Sequence, residues 1–223
     1  MTFHYITLQS TYHTVECALF SDTELLKNIT INKHEASRFL MSRLHELLEE
    51  HSLTWKNITF LGVNQGPAPF TTLRALITTV NGISFSRHIP LVGVDGLRSF
   101  LYEQHKNGIT IVLQNAFAQD VYFAEQEKEL VKTGWANGTE YLEELAKNYP
   151  TETIKFVGNG VPLLQKEITE LFSNRAEIAE HCPEVVQLTT VAELAKQLWL
   201  NEKKGAPHLT PLYLKTQEYK TSS

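Results

Sequence analysis

Between Asn57 and Gly96 the chain runs NITFLGVNQGPAPFTTLRALITTVNGISFSRHIPLVGVDG, which reads as a strand, a proline-rich turn, a long helix and a second strand. Ile58 to Val63 is a short apolar run of β-branched and aromatic residues, and Gly66-Pro67-Ala68-Pro69 cannot continue it. Thr71 or Thr72 is the natural N-cap of the apolar-periodic segment that follows. Backbone N–H groups at such a turn and helix start lack intrahelical partners and carry the positive end of the dipole, so Gly66, Pro67, Thr71 and Arg74 form a candidate anion or nucleotide turn. The alternative is a tight connection with Arg74 paired to a carboxylate, and Pro69 favours it by removing an N–H that an anion would use. No Gly-Lys-Ser/Thr closes the turn and the Gly-x-Gly-x-x-Gly spacing is absent, which excludes a Walker loop and a dinucleotide fingerprint.

The rest of the chain repeats one outline. Tyr5 to Gln9 and Val15 to Phe20 read as a hairpin, with Leu26 to Ile31 as a third strand. A helix from His34 to His51 follows, with Ala36, Phe39, Leu40, Arg43, Leu44, Leu47 and Leu48 at three- and four-residue intervals. After Leu91 to Val94 a helix from Gly96 to Lys106 stops at Asn107-Gly108. In the second half Ile109 to Leu113, Val121 to Glu125 and Leu130 to Thr133 are strands, Thr139 to Lys147 a helix, and Ile154 to Val157 a strand closed by Gly158-Asn159-Gly160. A helix from Pro162 to Phe172, a strand Val185 to Leu188 and a helix Val191 to Glu202 complete it. Two arrangements of three strands, helix, strand, helix predict a duplicated α/β architecture, with sub-domains over 1–107 and 108–203 and a tail over 204–223 that packs back on the first half.

A chain of 223 residues with formal charge −5 can bury a core without disulfides or metals, and it lacks the Lys/Arg cluster that gripping nucleic acid alone would need. Cys17 and Cys182 stand in unrelated contexts with no Cys-x-x-Cys; two buried thiols of a reducing compartment are favoured over the alternative of a paired bridge. No run approaches the roughly 18 apolar residues of a membrane span, and the N-terminus has no leader pattern; a soluble, cytoplasmic protein is the expectation. The nine histidines show no metal-ligand spacing, and no Gly-x-Ser-x-Gly elbow is present.

The run Gln65 to Ile77, QGPAPFTTLRALI, resembles the Gly-Pro-Gly-Ser-Phe-Thr-Gly-Leu-Arg-Ile-Gly segment of the TsaB (YeaZ-like) family of tRNA threonylcarbamoyladenosine biosynthesis proteins. Gly66, Pro67, Phe70, Thr71, Leu73 and Arg74 match. Four weaker matches follow in register: Ile89 to Leu97, Asp120-Val121-Tyr122, Val157 to Gly160 and Pro211 to Leu214. The resemblance implies an actin-like ATPase fold of two similar βββαβαβα sub-domains.

It also implies a division of labour. Where the family has Asp-Thr or Asp-Ser in the first turn this chain has Gln9-Ser10, and an Asp-Ala-Arg is answered by Asn115-Ala116-Phe117. A neutral amide is a poor ligand for a hard cation, so a catalytic metal site at these turns is not expected, and Gln9 and Asn115 read as solvated or structural. His34 matches a family histidine and reads as a surface or capping residue. In the family the two helices corresponding to His34–His51 and Thr71–Phe85 form a helical-bundle contact, with a second copy or with the catalytic subunit TsaD. The second of them carries more apolar residues than one sheet can cover, which implies a second packing surface; the alternative is ordinary core burial of both helices. Phe39, Arg43, Leu47, Leu73, Leu76, Ile77 and Val80 are the candidate partner interface. The expected function is a non-catalytic subunit that dimerises with TsaD and activates its transfer of threonylcarbamoyl to adenosine 37 of tRNA. TsaE, an ATPase, is a further partner, a homodimer is expected in isolation, and tRNA is met only through the complex. No cofactor is expected, and a nucleotide only at a partner interface. The alternatives are a catalytic actin-like phosphotransferase or degenerate glycoprotease-like peptidase, and a homodimeric binding module outside the tRNA pathway.

Overall fold

The computed structural model describes residues 3–104, 108–128 and 130–215. The expected helix end at Lys106 and the Asn107 half of the expected boundary lie outside those residues. The described residues form two compact units, the first from residues 3–99 with Val185–Leu212, the second from Phe100–Glu184 with residues 213–215.

Unit 1 is built on a five-stranded sheet of order β3-β2-β1-β4-β5. Its strands are β1 (His4–Ser10), β2 (Thr14–Ser21), β3 (Glu24–Asn32), β4 (Ile58–Asn64) and β5 (Leu91–Val94). β1, β2 and β3 form an antiparallel meander, and β4 and β5 join parallel to β1. The parallel pairs require crossovers, and helices supply them: α1 (Lys33–Glu49) leads from β3 to β4 and α2 (Phe70–Arg87) from β4 to β5. Asn32 starts α1 by accepting the His34 N–H, and His34 itself is exposed. Leu40, Leu44, Leu47 and Leu48 of α1 and Leu73, Leu76, Ile77 and Val80 of α2 close one core with Ile6, Leu8, Leu61 and Val63 of the sheet.

Unit 2 repeats the order as β10-β9-β6-β7-β8. Its strands are β6 (Ile109–Asn115), β7 (Asp120–Glu127), β8 (Leu130–Asn137), β9 (Ile154–Val157) and β10 (Ala176–Ile178), following α3 (Gly96–Gln104). The crossovers are α4 (Gly138–Asn148), capped by Asn137, and α5 (Gln165–Phe172). Tyr141 of α4 stacks on Phe123 with ring centroids 4.1 Å apart. Its hydroxyl and that of Tyr149 both donate to Glu125, at 3.3 and 2.6 Å. Burial first, then this carboxylate, raises both phenols well above the ordinary tyrosine range. The repeated strand order gives the duplicated α/β layout expected from the sequence.

Four local readings need correction. α6 (Leu188–Glu202) does not stay with the second half; it packs on β1, β4 and β5 of unit 1. The reason is a fit of small residues: a Cβ on Gly62 would stand 2.7 Å from the Ala195 Cβ, so only glycine lets the helix lie this close. Trp199 then stacks on Phe60 at 5.3 Å, and Phe60 on Tyr5 at 4.6 Å. The unit boundary accordingly falls at Ser99/Phe100, within α3, rather than at 107/108. Val185–Leu188 is no strand, because Val186 is buried as the chain returns to unit 1 and Leu188 already opens α6. The last strand of the second sheet is instead β10, three residues long and too short to announce itself by alternation. Finally, α2 begins at Phe70 with Pro69 at the N-cap, so Thr71 and Thr72 sit inside the first turn.

Candidate functional site

The turn between β4 and α2 is built as a connection. Asn64 Oδ1 accepts the Gly66 N–H at 2.9 Å, and the Gly66 carbonyl accepts from Gly96 N at 2.9 Å. Gly66-Pro67 is a cis peptide, and neither Pro67 nor Pro69 has an N–H to offer. Thr71 is exposed, and the Arg74 guanidinium lies over the Phe70 ring, 3.8 Å from its centroid. The four residues of the candidate anion turn are therefore neighbours, but the geometry gives them a structural connection rather than a converging set of donors.

The residues standing where the family has acids are drawn into the same frame. Gln9, fully buried as the penultimate residue of β1, donates Nε2 to the Val186 carbonyl at 3.0 Å and to Glu16 Oε2 at 2.8 Å. Its Oε1 accepts from Asn64 Nδ2 at 3.2 Å. A carboxylate could make neither donation. In unit 2 the penultimate residue of β6 is also a buried glutamine, Gln114, whose Nε2 donates to the Glu184 carbonyl at 2.9 Å. The next residue, Asn115, accepts the Phe117 N–H at 2.8 Å, and its own N–H donates to Asn159. It thereby shapes a hairpin tip in which Phe117, Ala118 and Gln119 all have positive φ. Among the described residues no group of three or more His, Cys, Asp or Glu is placed to hold a metal ion. Burial drives the Cys17 thiol far above its ordinary range, while Cys182 is only half-buried.

The candidate partner residues divide into two sets. Leu47, Leu73, Leu76, Ile77 and Val80 are buried against the sheet of unit 1 and have no area to offer a partner. This corrects their assignment to an interface: the apolar stripe of α2 is absorbed by its own core. Phe39 and Arg43 of α1 are exposed, and Arg43 pairs with Glu46 at 2.9 Å. The exposed surface of the two helices carries instead Phe39 and Phe70, each under an arginine of its own helix: Arg38 at 5.0 Å and Arg74 at 3.8 Å. A cleft of about 110 Å³ runs between α1 and α2, with Ala36 and Leu40 on one wall and Ala75 and Leu76 on the other. Met41 adds a further exposed apolar side chain on α1. Phe70 carried a signal in the resemblance, but its exposure could not be read from periodicity.

The family model described as "TsaD: tRNA N6-adenosine threonylcarbamoyltransferase" matches residues 24–222. The chain belongs to this family. Within the family it is similar to the tRNA threonylcarbamoyladenosine biosynthesis protein TsaB of Buchnera aphidicola subsp. Acyrthosiphon pisum (strain APS), at 23% identity over 151 residues. That match covers 66% of this chain and 64% of the Buchnera protein. YeaZ from Pseudomonas aeruginosa superimposes with a TM-score of 0.68 at 18% identity, covering 95% of this chain and all (100%) of that one. A second crystal structure, of a protein with similarity to peptidase YEAZ from Pseudomonas aeruginosa, gives 0.73 at 16% identity over 96% and 100%. The two mixed sheets and their helices are thus the actin-like ATPase fold of TsaB and YeaZ, as the resemblance implied. No helix among the described residues is long and apolar enough to cross a membrane.

Proposed function

We propose that this chain is a non-catalytic subunit of the machinery that installs threonylcarbamoyladenosine at position 37 of tRNA, and that it works by docking on a TsaD-type transferase. The observation that carries the reading is the use made of Gln9. In a family described by its transferase chemistry, this position is committed through its amide to hydrogen bonds that a metal-binding carboxylate could not make. The residues left for function are on the surface. Phe39 and Phe70, each exposed and paired with an arginine of its own helix, have the aromatic and arginine character of interface anchors. Activation then follows from the change in the transferase that binding at this face stabilises. The ATPase of the pathway and tRNA are met through the assembly, which accords with a formal charge of −5.

The test is co-elution of the purified chain with its cognate TsaD-type transferase in size-exclusion chromatography. The wild-type chain co-elutes, and Phe39→Glu with Phe70→Glu loses the complex while eluting as a folded protein. An intact complex with the double variant would move the docking face elsewhere, and a wild-type chain that never co-elutes would remove the proposal.

A further inference from the structure

The chain from Gly205 to Leu212 crosses unit 1 in the manner of a bound peptide. Ala206 makes an antiparallel bridge with Leu91 on the free edge of β5, donating to its carbonyl at 2.8 Å and accepting from its N–H at 3.0 Å. Ser84 of α2 donates to the Pro207 carbonyl at 3.3 Å. Asn81, one turn earlier on α2, holds Leu209 at both ends: its Oδ1 accepts the Leu209 N–H at 2.8 Å and its Nδ2 donates to the Leu209 carbonyl at 2.9 Å. Gln65 completes the row, donating Nε2 to the Thr210 carbonyl at 2.7 Å and accepting the Leu212 N–H at its own carbonyl at 3.0 Å. Its side chain reaches there because Gly93 has no Cβ; one would stand 2.0 Å from Gln65 Oε1.

The grip is on the main chain. Each of these bonds uses an N–H or a carbonyl of the segment, and any extended polypeptide presents the same groups. Leu209 is buried at 8% exposure, while Pro207, His208 and Thr210 face outward. Main-chain bonds beside a sheet edge with one apolar anchor are how extended peptides are recognised. We propose that the groove formed by Gln65, Asn81, Ser84 and the β5 edge is a peptide-binding site. Its ligand class is an extended segment with a leucine anchor three residues after a small residue, and Gly205–Leu212 fills it in cis. A partner carrying such a segment enters by displacing the chain's own. The inference is independent of the docking face on α1 and α2.

The experiment uses the full chain with Leu209→Glu, which weakens the cis occupant, and a fluorescein-labelled synthetic peptide of residues Lys204–Leu214. Fluorescence polarisation should show saturable binding to L209E. Binding to the wild-type chain should be weaker by roughly tenfold or more, because the tethered segment competes at an effective concentration of about a millimolar. Adding Asn81→Ala to L209E should cut binding by roughly tenfold, since two main-chain bonds are lost. Absence of saturable binding by a folded L209E chain, or undiminished binding after Asn81→Ala, would overturn the site. Should L209E not fold, hydrogen exchange of the wild-type chain decides: excess unlabelled peptide should speed exchange at the Ala206 and Leu209 amides, and unchanged rates would overturn the site equally.

Discussion

Gln9 donates its side-chain N–H to the carbonyl of Val186, 3.0 Å away and 177 residues later in the chain. The same amide also bonds Glu16 and accepts from Asn64, so a neutral donor and acceptor is demanded at this buried point. Gln9→Glu, which restores an acid at the first turn, would set a carboxylate against a carbonyl and a second carboxylate. We expect a loss of about 2–4 kcal/mol in urea unfolding, with Gln9→Met milder because it leaves no buried charge. Equal stability of Gln9→Glu and wild type would show that the amide is not required.

Gly62 decides where α6 can lie. Gly62→Ala places a methyl 2.7 Å from the Ala195 Cβ and 3.0 Å from Thr7 Cγ2, and should cost about 1–3 kcal/mol by overpacking. Ala195→Gly in the same chain removes the nearer clash. The double variant should regain part of the loss, a coupling that a thermodynamic cycle reads directly. Strictly additive effects would contradict the packing described.

The two sets of apolar residues on α1 and α2 should respond differently to charge. Leu76 is 1% exposed, so Leu76→Glu buries an unpaired carboxylate and should unfold the chain or cost at least roughly 3 kcal/mol. Phe39 and Phe70 are 37% and 56% exposed, and glutamate at either should change stability by no more than about 1 kcal/mol. Thermal melts of the three single variants distinguish core from surface. A stable Leu76→Glu chain would return that residue to the interface.

Tyr5 predicts a response to alkali. Burial, reinforced by Asp22 and Glu193, pushes its phenol up to about 12 from an ordinary value of 10.0. Below pH 10 the phenol is neutral in both states and its contribution to stability is complete. As pH rises from 10 towards 12 the unfolded chain ionises first, so stability falls, by at most about 1.4 kcal/mol per pH unit. Tyr5→Phe removes this component. Urea unfolding at pH 9, 10 and 11 should show a steeper decline for the wild type than for the variant, and parallel curves would contradict the assignment.

Local pattern revealed most of the architecture. The apolar periodicity of α1 and α2 and the alternation of the early strands were legible because each element answers to its own sequence. α6 was legible as a helix but its place was not, since that is decided by Gly62 meeting Ala195, a complementarity between residues 133 positions apart. The site divided in the same way. That a neutral amide stands at Gln9 was readable from residue type, whereas its bond to Val186 depended on how the chain returns. Periodicity marked Leu73, Leu76, Ile77 and Val80 as one apolar stripe but could not say which surface absorbs it. The extended Gly205–Leu212 segment gave only its proline and glycine punctuation, because the side chains that hold it belong to α2 and the turn.

We propose that this chain assists a transferase and performs no transfer itself. The most direct measurement is threonylcarbamoylation of tRNA with the carbonyl donor supplied, comparing the TsaD-type transferase alone, the chain alone, and both together. We expect no modification by the chain alone and a rate with both that exceeds the transferase alone by roughly tenfold, about 1.4 kcal/mol of activation. Metal-dependent turnover by the isolated chain, or a transferase rate unmoved by its addition, would contradict it.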